Sequence, residues 1–235
     1  MIEINFNGFG DPDYQTVVRL LCLTEHVLEQ CTGINSPKDV IIRYQERGPE
    51  CRNDGDTRII LLSAHDNYYG QWVYQYAHEY MHHLIDGAMV ENLSGLMWFE
   101  ETLCEAASRF VLWRLGYSDL CAREGLSHAF PTLRDYHDHH LSLDPLLKEE
   151  FRLNGSVEPW IPLLEQPCYH RSHYAVIADA MQPLFRTNCD LWHIAAGIGD
   201  STQWRSLESL LSHLEKKFPE VSESVTRLKS VLLGS

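Results

Sequence analysis

Gln71–Asp86 reads QWVYQYAHEYMHHLID. Trp72, Val73, Tyr76, Tyr80, Met81, Leu84 and Ile85 recur at three- and four-residue spacings. That pattern predicts a helix with a wide buried face, with Gly87 as its C-terminal stop. Each residue turns ~100°, so His78 and His82 are ~40° apart in projection and one turn apart in height. Two imidazoles so placed can bind one metal ion. Glu79 follows the first of them, where it can hold a water against the ion and take its proton. His83 lies ~140° round from His78 and is expected to be a bystander.

Two histidines and a water need a third protein ligand to make a catalytic zinc site. Downstream lies Trp98-Phe99-Glu100-Glu101-Thr102-Leu103-Cys104-Glu105. The interval from His82 is long enough to end the first helix, turn at Ser94-Gly95 and return on a second. Leu96, Phe99, Leu103, Ala106, Phe110 and Leu112–Trp113 give that second helix an apolar side. Glu101 and Glu105 are four apart and share a face. One can ligate the metal while the other hydrogen-bonds the free nitrogen of a ligand histidine. Glu101 is the expected third ligand. Glu100, Glu105 and Asp86, one turn past His82, are its rivals.

The arrangement resembles the gluzincin metallopeptidases, which include the thermolysin-like proteases and the zinc aminopeptidases. Those families carry H-E-x-x-H followed after 18 or 19 residues by a ligand glutamate. Trp98-Phe99-Glu100-Glu101 is similar to the W-x-x-E of the aminopeptidases, and Glu101-x-x-x-Glu105 to the E-x-x-x-D of the thermolysin-like enzymes. The resemblance covers about residues 57–115. It implies Zn2+ held by His78, His82 and Glu101, with Glu79 as general base and Glu105 supporting a ligand. It also implies a sheet edge over the metal that holds extended peptide, and an oxyanion donor from a His or Tyr of the C-terminal lobe. His170, His173 and Tyr174 are the candidates for that donor. Thr102 stands where the aminopeptidases have glycine. Gly87-Ala88-Met89-Val90-Glu91-Asn92 is read as a loop between helices.

At 235 residues, 44% hydrophobic and 22% charged, the chain suits one sizeable domain or two lobes sharing a cleft. A net charge of −14 repels phosphates and argues against nucleic acid. There is no apolar run of membrane-spanning length, and the start, MIEINF, lacks the marks of a signal peptide. The seven cysteines are scattered, odd in number and form no C-x-x-C. They are expected to be reduced thiols of a cytoplasmic protein.

Ahead of the histidine helix the chain reads as strand 2–6, a turn, a helix from about Asp13 to Cys31, strand 40–44, a loop over 47–56 and strand 57–63. Loop His65–Gly70 would rim the site. Behind it, Tyr136-His137-Asp138-His139-His140 looks metal-prone but lacks a four-residue histidine pair on one face, so a solvated or structural segment is expected. Leu143–Leu153 has helical character, and residues 154–167 read as a long loop. Tyr169–Tyr174 opens an apolar helix, and 206–218 and 221–233 read as two closing helices.

The expected fold is α+β and zincin-like: a small mixed β-sheet with the active-site helix in residues 1–116, and a mostly helical C-terminal lobe in 117–235. The expected function is zinc-dependent hydrolysis of peptide bonds in a peptide or protein substrate. The rivals are zinc hydrolysis of a non-peptide amide, ester or epoxide, and a zincin-like binding or regulatory protein without turnover.

Overall fold

The computed structural model describes residues 2–36, 39–55, 57–86, 96–166, 168–198 and 206–234. The chain is α+β. In order it forms β1 (Ile2–Ile4), α1 (Tyr14–Thr32), β2 (Asp39–Tyr44), β3 (Glu50–Asp54), β4 (Thr57–Leu62), α2 (Tyr69–Asp86) and α3 (Met97–Tyr117). Short helices α4 (Leu120–Arg123) and α5 (Phe130–Asp135) follow, then a π-helical turn at Tyr136–His140. The remainder is α6 (Pro145–Asn154), α7 (Ile161–Leu164), α8 (Arg171–Thr187), α9 (Ala195–Ile198), α10 (Leu207–Lys217) and α11 (Ser222–Leu233).

The chain divides into two compact units, and neither is one continuous segment. The first comprises Met1–Gln30, Asn35–Leu84 and Ala107–Ser142; the second comprises Cys31–Ile34, Ile85–Ala106 and Leu143–Ser235.

The first unit holds a four-stranded mixed sheet in the order β1-β2-β4-β3. β1 pairs parallel with β2, Ile2 opposite Val40. Parallel neighbours need a long crossover, and α1 supplies it. β2 pairs parallel with β4, Ile42 opposite Ile60, and these two strands bury Val40, Ile42, Ile60, Leu61 and Leu62. The sequence of β3 reads as loop. Instead it pairs antiparallel with β4, Cys51 opposite Ile60, and stands at the end of the sheet. Its residues ECRND give no apolar alternation because most of the strand is exposed. Gly55, at φ 60°, lies in the β3–β4 connection and takes the left-handed conformation that glycine adopts without strain.

The chain passes from β4 into α2 through a locked turn. Gln75 of α2 accepts from the Ser63 backbone N–H at 2.9 Å and donates to Ser63 Oγ at 2.9 Å. Trp72 Nε1 donates to the Asp66 carbonyl at 3.0 Å. The expected apolar residues of α2, from Trp72 to Ile85, are all buried. α3 differs from the one-sided helix expected. It is buried nearly all round, so Thr102, Glu105, Ser108 and Arg109 lie inside with its apolar residues. A helix enclosed on every side shows little amphipathic signal.

In the second unit, α8 buries Tyr174, Val176, Ile177, Ala178, Met181 and Phe185. Residues 154–167 are not one long loop: they contain a 3₁₀ turn at Glu158–Trp160 and α7. Prolines 159 and 162 fall in the first turns of these elements, where a missing N–H is tolerated. Ser206 and Ser209 form a capping box at the start of α10. Cys31 and Cys189 are joined as a disulfide across 158 residues, which departs from the expectation of seven reduced thiols. The expected stop at Gly87, the loop 87–92 and the break at Ser94-Gly95 lie outside the described residues, as does the side chain of Asp86. No described helix is long and apolar enough to cross a membrane.

Candidate metal centre

α2 presents His78 and His82 one turn apart, with ring centroids 5.1 Å from each other and planes at 64°. α3 presents Glu101. One ligand atom from each of His78, His82 and Glu101 lies within 4.8 Å of the other two. Around a tetrahedral zinc with bonds of about 2.1 Å the donors sit about 3.4 Å apart, so the gap to close is at most about 1.4 Å and within reach of side-chain rotation. Two imidazole nitrogens and one carboxylate oxygen are a donor set that suits zinc and leaves a fourth position. His78 is buried, whereas His82 and Glu101 are partly exposed. A site open on one side admits water and a further ligand, unlike a sealed structural centre.

Glu79, next to the first histidine, is buried. Glu100 and Glu105 are also buried and fall outside the three-ligand cluster, while the side chain of Asp86 lies outside the described residues. Thr102, where glycine was noted in the resembled aminopeptidases, is fully buried, and its hydroxyl donates to the Trp98 carbonyl at 2.7 Å. The site therefore loses no hydrogen bond by having threonine there. His83 faces elsewhere. It is 1% exposed and accepts at Nδ1 from Arg58 Nε at 3.1 Å.

The three candidate oxyanion donors have different surroundings. His170 precedes α8 and lies 2.9 Å from Cys168 Sγ through Nε2. His173 packs edge-on to Trp160, with ring centroids 4.8 Å apart. Burial there holds its imidazole below the ordinary histidine range; His170 pushes the same way, and Glu150 and Asp144 oppose it. Tyr174 is buried, which raises its phenol pKa, and the negative Glu101 carboxylate adds to the rise.

A fourth residue joins them that the sequence reading passed over. Crowding by the protein raises the Tyr169 phenol pKa, and the Glu101 and Glu105 carboxylates raise it further. Tyr169 keeps 55% of its surface exposed, so solvent screens part of that push. Its ring meets Tyr174 edge-on at 5.1 Å. Tyr169 and Tyr174 are thus two phenols on which the Glu101 carboxylate acts. The signal available in the sequence was the aromatic pair flanking the α8 N-terminus; Tyr169 lies in the loop before the helix, where periodicity says nothing.

The histidines of segment 136–140 are not part of the three-ligand group. His139 Nδ1 and His140 Nε2 lie 3.1 and 3.3 Å from the Asp135 carboxylate, and His137 Nδ1 lies 2.7 Å from Asp138. The π turn brings residues four and five positions on to one carboxylate. These imidazoles contact neighbouring carboxylates and, among the described residues, do not gather as a three-ligand group.

Compared with protein-family models, with curated proteins and with solved structures, the chain gives no match.

Proposed function

We propose that this chain is a zinc-dependent hydrolase of the gluzincin type that cleaves peptide bonds. The observation that carries the proposal is the convergence of donor atoms from His78, His82 and Glu101, with Glu79 buried beside the first. Zinc in such a site lowers the pKa of water toward ~7 and polarises a carbonyl. Glu79 takes the proton of the attacking water and passes it to the leaving nitrogen. Glu105 supports the ligand set from the next turn of α3. Tyr169 or Tyr174 donates a hydroxyl hydrogen bond to the tetrahedral oxyanion. β4, the strand 57–63 expected to carry that edge, lies between β2 and β3, so backbone pairing with an extended substrate would fall to an end strand, β1 or β3. The net charge of −14 favours cationic peptides over acidic partners.

Metal analysis and one substitution test the reading. Purified protein is expected to hold about one zinc per chain, lost in His82→Ala. Glu79→Gln is expected to keep the zinc while peptide hydrolysis falls about 10²–10⁴-fold. Hydrolysis undiminished in Glu79→Gln overturns the assignment of the base. A chain that holds zinc but turns over esters or epoxides and no peptide overturns the substrate class.

A further inference from the structure

The face of α2 turned away from the metal ligands carries polar groups that the proposed reaction does not use. Measured round the helix from His78, His82 stands at ~40°, whereas His83, Tyr76 and Tyr80 stand at ~140°, ~160° and ~200°. All three are buried. Each makes a directed bond to another element. The Tyr76 hydroxyl donates to Glu25 Oε1 at 2.7 Å, and the Tyr80 hydroxyl to Glu29 Oε1 at 2.7 Å. Glu25 and Glu29 are one turn apart on α1, as Tyr76 and Tyr80 are on α2. Two rungs therefore match one helix to the other along a parallel contact.

A third bond comes from the sheet. Arg58 of β4, itself 2% exposed, donates its Nε–H to His83 Nδ1. Nδ1 is thus an acceptor, so Nε2 carries the proton and donates to Ser36 Oγ. The Ser36 backbone N–H donates to Glu29 Oε1 at 3.1 Å, which closes the network back onto the second rung.

Such a network is a costly way to hold a helix. Burial pushes the Glu25 carboxyl above its ordinary range, and a guanidinium sits inside the fold. Apolar side chains of similar volume often pack at least as stably as buried charged groups. An apolar face tolerates rotation of the helix, however, whereas hydrogen bonds weaken steeply when misaligned. At a side-chain radius of about 6 Å, a turn of ~10° moves a ligand nitrogen by about 1 Å. We infer that Tyr76, Tyr80 and His83, through Glu25, Glu29 and Arg58, are positioning residues that fix the rotation of α2 so that His78 and His82 stay aimed at the Glu101 carboxylate. This inference rests on the zinc reading given above.

Zinc affinity of the metal-free protein, measured by competition with a chromogenic chelator, tests it beside thermal unfolding of the same samples. Tyr76→Phe/Tyr80→Phe keeps both rings and deletes both rungs; it is expected to bind zinc about 10–100-fold more weakly, the usual effect of removing support from a ligand set. Glu29→Gln still accepts from Tyr80 and is expected to bind close to the parent. Val17→Ala, a core truncation in α1, is expected to lower the melting temperature while leaving zinc affinity unchanged. Should the double variant not fold, Tyr80→Phe alone carries the same comparison. A folded tyrosine variant that binds zinc as tightly as the parent overturns the inference. A parent that takes up no zinc overturns the zinc reading, and this inference with it.

Discussion

Tyr169 shows how one side chain can share the surroundings of a candidate metal centre and carry no periodic signal. It precedes α8 by two residues, keeps half its surface exposed, and has its hydroxyl in the field of Glu101 and Glu105. A phenol beside carboxylates holds its proton more firmly, so it remains a donor throughout the physiological range. Donation to an oxyanion is worth about 10²–10³ in kcat when a single donor is removed. Tyr169→Phe is therefore expected to lower kcat by that order, with little change in KM and no loss of zinc. Steady-state kinetics with metal analysis on the same sample check this. Full activity in Tyr169→Phe together with a loss in Tyr174→Phe moves the role to the buried neighbour. The candidate metal centre is the opposite case. His78 and His82 are legible because a four-residue spacing is a helical geometry, with Glu79 beside the first, and Glu101 through its interval from His82.

At the scale of elements, strong periodicity carried the sequence reading. α1, α2, α8, α10 and α11 follow their apolar spacing, and β2 and β4 their β-branched runs. What escaped was built from pairing or from local turns. β3 is an exposed strand whose residues ECRND signal loop, and only its ladder with β4 makes it a strand. The π turn at 136–140 and the short helices inside 154–167 depend on neighbours that a window of sequence does not contain. Gly70, in the first turn of α2, makes the same point as a prediction. In an exposed helix, glycine to alanine stabilises by roughly 0.5–1 kcal/mol. Here a Cβ on Gly70 would meet Tyr136 Cβ at 2.3 Å and the Thr132 carbonyl oxygen at 2.8 Å. Both obstacles are tied closely to the backbone, so the neighbouring segment must shift. Overpacking of this kind costs about 1–3 kcal/mol, which outweighs the gain in propensity. Gly70→Ala is expected to be less stable than the parent in urea unfolding; a higher midpoint shows that the segment yields freely.

For the molecule as a whole, the Cys31–Cys189 bridge decides how much of the stability depends on redox conditions. The two cysteines are 158 residues apart, so the bridge removes a large part of the unfolded chain's freedom. Loop-closure entropy alone gives about 5 kcal/mol for so long a loop, and removal of native bridges typically costs about 2–5 kcal/mol. Net stabilities of domains are about 5–15 kcal/mol, so the bridge is a substantial fraction of the total. The remaining cysteines, 22, 51, 104, 121 and 168, are in no disulfide, and 104 and 121 are buried. Thiol titration of denatured, unreduced protein is therefore expected to find five thiols, and seven after reduction. A phosphine reductant should lower the melting temperature. Cys31→Ser should lower it by a similar amount and make it insensitive to the reductant. Because the bridge acts on the unfolded chain, zinc affinity of the folded protein should change little on reduction. Seven titratable thiols before reduction, with a melting temperature indifferent to the phosphine, would falsify the bridge and leave the fold to its packed core alone.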